Sequence, residues 1–336
     1  MIQSKKKIYV PLTDEFYVLD KFRLKRTLSR LFEETSSGIR DAESILSNLR
    51  PLEVRVINYI NSRIRSLEES SRSIYRKGEE CPTAECLRRV VEELSRLRDE
   101  VFKLRSEMHY LASVIPEPML EQVPMLLMNF CSGSLKLPAI IKSNAYLSSL
   151  ILLGYCNDGV REVDDKLAVL EKRLERVMSG DVHPFVRDFW LSFLEDEPND
   201  VLALKNKLKD LKGLISEKTE ALSGVLVYEG GEENFLKEMC NSLGQIELLK
   251  RSVDAMADRV KRYDEFREKY LSAQSFRELI PREALTMFKS PEEIHGRFSE
   301  EMRNEARSLA YLRGKEERAD FLLKGIAEGL FRLQEV

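Results

Sequence analysis

The sequence predicts an all-α protein made of elongated bundles of long helices, and three observations carry that prediction. First, Leu87, Val90, Leu94, Leu97, Val101, Leu104, Met108 and Leu111 recur at steps of three and four without a break. That spacing lays one apolar stripe along one side of a helix, and the stripe needs other helices to bury it. Second, seams of the same kind fill most of the remaining chain. Third, no strand alternation competes beyond a few residues near Ile8 to Val10. Composition agrees. Of 336 residues, 43% are hydrophobic and 33% charged. The charged share exceeds the usual quarter or so, while the apolar share is near normal. Narrow bundles have this balance because they carry much surface for their volume.

Taken in order, residues 1 to 12 are basic and β-branched and close on Val10-Pro11-Leu12. Thr13 or Asp14 is placed to cap a first helix marked by Leu24, Leu28, Leu31, Ile39, Ala42, Ile45 and Leu49, with a bend expected at Ser36-Ser37-Gly38. Pro51 ends that helix and opens a second, from about Pro51 to Arg76, with Ile57, Ile60, Ile64 and Leu67 inward. Lys77 to Pro82 reads as a loop, and Thr83 as the cap of the seam helix. Pro116, Pro118, Pro124 and Pro138 break the stretch 115 to 140 into a hinge or crossover between bundles.

A short buried helix is expected over 141 to 154, followed by a turn at Asn157-Asp158-Gly159. Val160, Val163, Leu167, Leu170, Leu174 and Val177 start another seam, and a short aromatic helix follows with Phe185, Phe189, Trp190 and Phe193. At helical spacing this aromatic cluster reads as core. Leu204, Leu208, Leu211 and Ile215 resume the seam after Glu197-Pro198-Asn199-Asp200. Gly230-Gly231 marks a turn before a helix running from Leu236 to Tyr263. Beyond Pro281 and Pro291, one last helix is expected from Ile294 to Leu333.

Charge excludes one function class. Lys+Arg is 54 and Asp+Glu 57, so the net charge is -3. The pI is about 5.9, and a nucleic-acid reader usually shows a basic domain instead. The five cysteines, Cys81, Cys86, Cys131, Cys156 and Cys240, are odd in number and scattered. They read as buried or incidental thiols in a reducing compartment, hence a cytoplasmic protein. The longest apolar run, Tyr146 to Gly154, is too short for a transmembrane segment. No phosphate-loop, dinucleotide or zinc-protease motif occurs, and His109, His183 and His295 stand apart from one another. Asp164-Asp165 and Glu232-Glu233 read as solvated or helix-starting acids. No catalytic residue, metal ligand or cofactor is expected, and the chain reads as a binding or scaffold protein rather than an enzyme.

Both ends of the chain resemble the V domain of the ALIX family of ESCRT-associated adaptors. Val10-Pro11-Leu12, then Lys25 and Leu28, follow the family's Val-Pro-apolar opening and its first long helix. Leu49-Arg50-Pro51 matches its Leu-x-Pro turn, and Glu79-Glu80-Cys81-Pro82-Thr83 its acidic loop. Phe321-Leu322-Leu323, Ile326 and Leu330-Phe331-Arg332-Leu333-Gln334 resemble its closing stretch. The resemblance implies a single V-like domain over 1–336, with two discontinuous arms and crossovers near 115–140, 180–200 and 280–292. It implies binding of ubiquitin or ubiquitinated cargo, of short Tyr-Pro-x-Leu-type peptides and of ESCRT-associated proteins in endosomal (multivesicular body) sorting, hence an endosome-associated place.

The peptide groove would be lined by Phe321, Leu322, Ile326 and Leu330, the alternative being that all four are bundle core. The match is offset by one residue at Phe321. Gly325 and Gly329 cost about 1 kcal/mol each in a helix and would let a peptide approach closely. Two departures bear on the role. The chain leaves no room ahead for the family's curved helical domain, and it carries no proline-rich tail. What is implied is therefore the binding functions more than a whole sorting role. The competing reading is a structural coiled-coil scaffold or tether whose seams other chains would complete. Turns interrupt the seams often enough for one chain to fold back on itself, which counts against that reading.

Overall fold

A computed structural model describes residues 12–49, 51–134, 136–222, 231–312, 314 and 316–336, with the backbone alone for 12–19. The described residues are predominantly helical, with no strand among them. The all-α expectation is therefore met. The chain divides into two compact units. Unit 1 holds residues up to Asp158 together with Gly213–Gly244, and unit 2 holds Gly159–Lys212 and Gln245–Val336.

Unit 1 begins with three helices, α1 (Leu12–Leu46), α2 (Val54–Glu80) and α3 (Ala84–Val114), each packed on the other two. Thr83 caps α3 as expected, accepting the Cys86 N–H at 3.2 Å. The α3 seam is buried except for Leu97, which is partly covered. Leu28 and Leu31 of α1 and Ile74 of α2 pack into it. Helix α1 runs unbroken through Ser36-Ser37-Gly38. A Cβ on Gly38 would lie 2.8 Å from Val101, so this glycine lets α1 approach α3 closely. Likewise α2 runs on through Lys77 to Glu80, because Gly78 is where Leu28 and Val90 press against the helix. Val10, Pro11 and Arg50, part of the motifs that open the resemblance, lie outside the described residues.

The proline-rich stretch forms three short helices, α4 (Glu117–Leu120), α5 (Val123–Cys131) and α6 (Ala139–Ser143). Next comes α7 (Ala145–Ser179), a single helix where a short helix and a turn were expected. Asn157-Asp158-Gly159 continues the helix, since Gly159 accommodates Ile246, whose side chain would sit 2.7 Å from an added Cβ. Residues 145–154 of α7 are buried on every side, as befits a helix segment that is apolar nearly all round.

In unit 2, α7 is followed by α8 (Pro184–Leu194), and α9 (Glu197–Ala221) and α10 (Gly231–Phe266) each belong to both units. The turn expected at Gly230-Gly231 falls partly outside the described residues. A π-helical turn, Arg267–Leu271, closes α10. Then come α11 (Ala273–Glu278), α12 (Arg282–Leu285), α13 (Pro291–Arg297), α14 (Glu300–Tyr311) and α15 (Glu317–Arg332). The single last helix expected from Ile294 to Leu333 is thus three. Ser299 caps α14 by accepting the Met302 N–H at 3.2 Å, and Gly314 takes a positive φ of 65° in the turn before α15. The chain passes between units at 158/159, 212/213 and 244/245, inside α7, α9 and α10 and away from the proline-bearing stretches.

The cysteines depart from the expectation of free thiols. Cys81 pairs with Cys86, and Cys131 at the end of α5 pairs with Cys240 of α10, with Cα atoms 5.7 and 4.8 Å apart. Only Cys156 is free, and burial pushes its thiol up to about 12. Paired cysteines count against the reducing compartment that their odd number suggested. Among the described residues, no helix is long and apolar enough to cross a membrane.

Candidate functional site

The predicted groove residues all lie on α15, which packs on α8, α13 and α14. Leu322, Ile326 and Leu330 are fully buried there, while Phe321 is 42% exposed, its ring centroid 5.7 Å from that of Phe189 on α8. Helix α8 packs against the glycine-bearing side of α15. A Cβ on Gly325 would run into the Phe189 ring, and one on Gly329 would lie 2.8 Å from Val186. The two glycines do serve close approach, but of the chain's own aromatic helix. Arg318 ties the ends together, donating to the Phe193 carbonyl at 2.8 Å and to Asp196 at 2.7 Å. Trp190 is core, stacked with Phe193 and edge-on to Tyr263, its indole N–H directed at the Val177 carbonyl.

Two buried polar networks went unpredicted, one in each unit. In unit 1, Glu100 is buried on α3 and accepts from Arg63 of α2, with Nε at 2.9 Å, and from the Tyr146 hydroxyl. Two turns along α3, the Glu107 carboxylate accepts the backbone N–H groups of Tyr146 at 3.4 Å and Leu147 at 2.7 Å. These are first-turn donors of α7 with no partner inside their own helix. Asn144, just ahead of α7, is turned away to donate its amide to the Ile140 carbonyl at 2.9 Å. So α3 supplies the cap that α7 does not make for itself. Burial raises the Glu107 carboxyl to about 7, against the pull of the two backbone donors and Lys103. Burial, then the charge of Glu100, holds the Tyr146 phenol well above its ordinary range.

In unit 2, Glu197 is fully buried at the start of α9. It accepts Nη2 and Nε of Arg259 at 2.9 and 3.2 Å and the Tyr263 hydroxyl at 2.9 Å. Each unit therefore holds a Glu–Arg–Tyr cluster in which an arginine and a tyrosine hydroxyl meet the buried acid, through Oε1 alone at Glu100 and through both oxygens at Glu197, as a buried charge requires. A signal for the first existed in the sequence. Glu93, Glu100 and Glu107 recur every seven residues, each one place before a seam position, which puts them at the edge of the buried stripe. Nothing local marks which of the three will be covered.

A third feature is an exposed apolar face. Met125 and Met128, at i and i+3 of α5, are 54% and 42% exposed, and Val114 and Met119 nearby in sequence are exposed too. Among the described residues, no group of three His, Cys, Asp or Glu is placed to hold a metal ion. His109 lies 3.4 Å from the Ser113 hydroxyl, and His183 caps α8. Comparison with protein-family models, with curated proteins and with solved structures finds no match for this chain.

Proposed function

We propose that the chain is a non-enzymatic helical adaptor that binds apolar protein ligands, namely ubiquitin and short Tyr-Pro-x-Leu-type motifs in ESCRT-linked sorting. One observation carries the binding reading. The heptad seams are closed within the chain, while flexible apolar side chains, Met119, Met125 and Met128, stay exposed on short helices of unit 1. Met125 and Met128 are neighbours at i and i+3 on one helix; exposed apolar neighbours mark interaction surfaces, and methionine adapts to varied partners. The choice of ubiquitin and of the motif rests on the resemblance of the two chain ends. Of the four residues the resemblance points to, Phe321 is the one with an exposed ring.

Titration of isotope-labelled ubiquitin with the full chain tests the reading by NMR. Saturable shifts on one apolar patch of ubiquitin, weakened by Met125→Asp with Met128→Asp, are expected. Absence of shifts at several hundred micromolar removes ubiquitin as a ligand. A cytoplasmic, endosome-associated place follows only where the four paired cysteines are reduced in the cell.

The competing tether reading needs seams that other chains complete. Leu87 to Leu111 already packs against α1 and α2, so this seam needs no second chain. Sedimentation equilibrium should accordingly find a monomer.

A further inference from the structure

Between Asp20 and Glu33 the chain carries five cations, Lys21, Arg23, Lys25, Arg26 and Arg30, and no acid. Helix α1 sorts these residues by side. Leu24, Leu28 and Leu31 turn inward against Ile74, Leu87, Val90 and Leu94. Phe22, Arg23, Lys25, Arg26 and Arg30 are all exposed, and at 100° per residue they share an outward arc of roughly 160°. Phe22 lies within that arc and is 61% exposed.

Glu33, also exposed, falls within the same arc, and the other neighbouring acids that are described are engaged elsewhere. Asp20 is held by Arg88 of α3. Glu34 is shared between Arg98 of α3 at 3.2 Å and Arg30 at 3.6 Å. Lys21 donates to the Pro82 carbonyl at 2.9 Å. Among the described residues, Arg23, Lys25 and Arg26 have no ion-pair partner. A chain with net charge -3 thus gathers, among the described residues, a net excess of positive charge around one exposed aromatic ring, four exposed cations against Glu33.

We propose that this outer face of α1 docks on an anionic phospholipid bilayer, with Phe22 entering the headgroup layer and Arg23, Lys25 and Arg26 on lipid phosphates and carboxylates. Geometry selects the partner. The face is the outward arc of a single helix, with Phe22, Arg23, Lys25, Arg26 and Arg30 all exposed along it. A bilayer is a broad, yielding surface that meets all the cations at once. It also gives an aromatic ring an apolar layer to enter, which a nucleic-acid backbone does not. This attachment does not depend on the ubiquitin and motif reading, since it uses none of the same residues.

Co-sedimentation of the full chain with vesicles of phosphatidylserine and phosphatidylcholine tests it, with pure phosphatidylcholine vesicles and a DNA duplex as the other arms. Binding to the anionic vesicles alone is expected, falling as salt is raised. The triple variant Arg23→Gln, Lys25→Gln, Arg26→Gln should lose on the order of a hundredfold in partitioning, given the contribution of each cation near a charged membrane. Phe22→Ser should weaken binding while leaving its salt dependence unchanged. All four side chains are exposed, so the variants should keep the parent's circular dichroism and melting point. Failure of the parent to bind anionic vesicles overturns the proposal. So does an undiminished triple variant, which would move the contact to a different basic segment such as Lys5-Lys6-Lys7. Binding to the duplex at least as tight as to the vesicles overturns it in favour of general polyanion binding.

Discussion

The Glu107 carboxylate shows how one residue ties pH to stability. Its folded pKa, about 7, lies above its ordinary 4.5 because burial outweighs the backbone donors of α7. The folded state therefore holds a proton that the unfolded chain releases. The stability this contributes is complete below about pH 4.5 and is lost as pH rises through about 7. Chemical denaturation from pH 5 to 8 should show stability falling with pH by up to about 3 kcal/mol, and Glu107→Gln should flatten that slope. His183 acts in the opposite sense. Its ring Nδ1 accepts the Phe185 N–H at 3.4 Å and the ring stacks on Phe276 at 4.5 Å. Burial, then Arg277, lowers its pKa below 6.5. Its contribution is complete above about 6.5 and is lost as pH falls through the folded pKa. His183→Asn, which keeps a capping side chain without the charge, should reduce the acid-side loss in the same titration. Neither residue announces this role in the sequence. Glu107 differs from Glu93 only in what α7 lays over it.

Among the elements, α15 and α10 make opposite uses of glycine. Gly325 of α15 faces the Phe189 ring of α8, whereas Gly244 of α10 has nothing within 4 Å of an added Cβ. Gly325→Ala gains about 1 kcal/mol of helix propensity but forces a repacking that costs about 1–3 kcal/mol. It should lower the melting temperature, while Gly244→Ala should raise stability by about 0.5–1 kcal/mol in the same assay. The disulfides also differ by element. Cys131–Cys240 spans 109 residues and Cys81–Cys86 spans 5. Chain-entropy reasoning gives about 5 kcal/mol for the first and about 2 kcal/mol for the second. Cys131→Ser should therefore destabilise the oxidised protein more than Cys86→Ser, and alkylation with mass spectrometry should find Cys156 as the sole unpaired thiol. The seams were legible because the step of three and four is local to each helix. Whether Gly38, Gly78 and Gly159 break a helix or let another come close was not, because that depends on Val101, Leu28 and Ile246, far away in the chain.

For the whole molecule, both compact units are built from separated stretches of chain, so excision has a defined outcome. Residues 12–114 contain α1, α2 and α3, which pack on one another as a contiguous set. This fragment should melt cooperatively by circular dichroism. The fragment 1–158 adds the fully buried 145–154 stretch of α7 but lacks Gly213–Gly244, the rest of the unit. Missing with it are the Met239 carbonyl that Cys156 approaches at 3.8 Å and the partner of Cys131. That fragment should aggregate or melt without cooperativity although it is longer. By itself the sequence determined the all-α class, the buried side of α2, α3, α9 and α10, the Thr83 cap and the core place of Trp190, because periodicity and capping act within a few residues. The tertiary structure decided the rest: that α8 packs against Gly325 and Gly329, that Cys131 meets Cys240, and that Glu100, Glu107 and Glu197 are covered, the first and last of them with an arginine beside them. Each of these depends on two segments distant in sequence becoming neighbours, and burial, close approach and charge compensation exist only once they do.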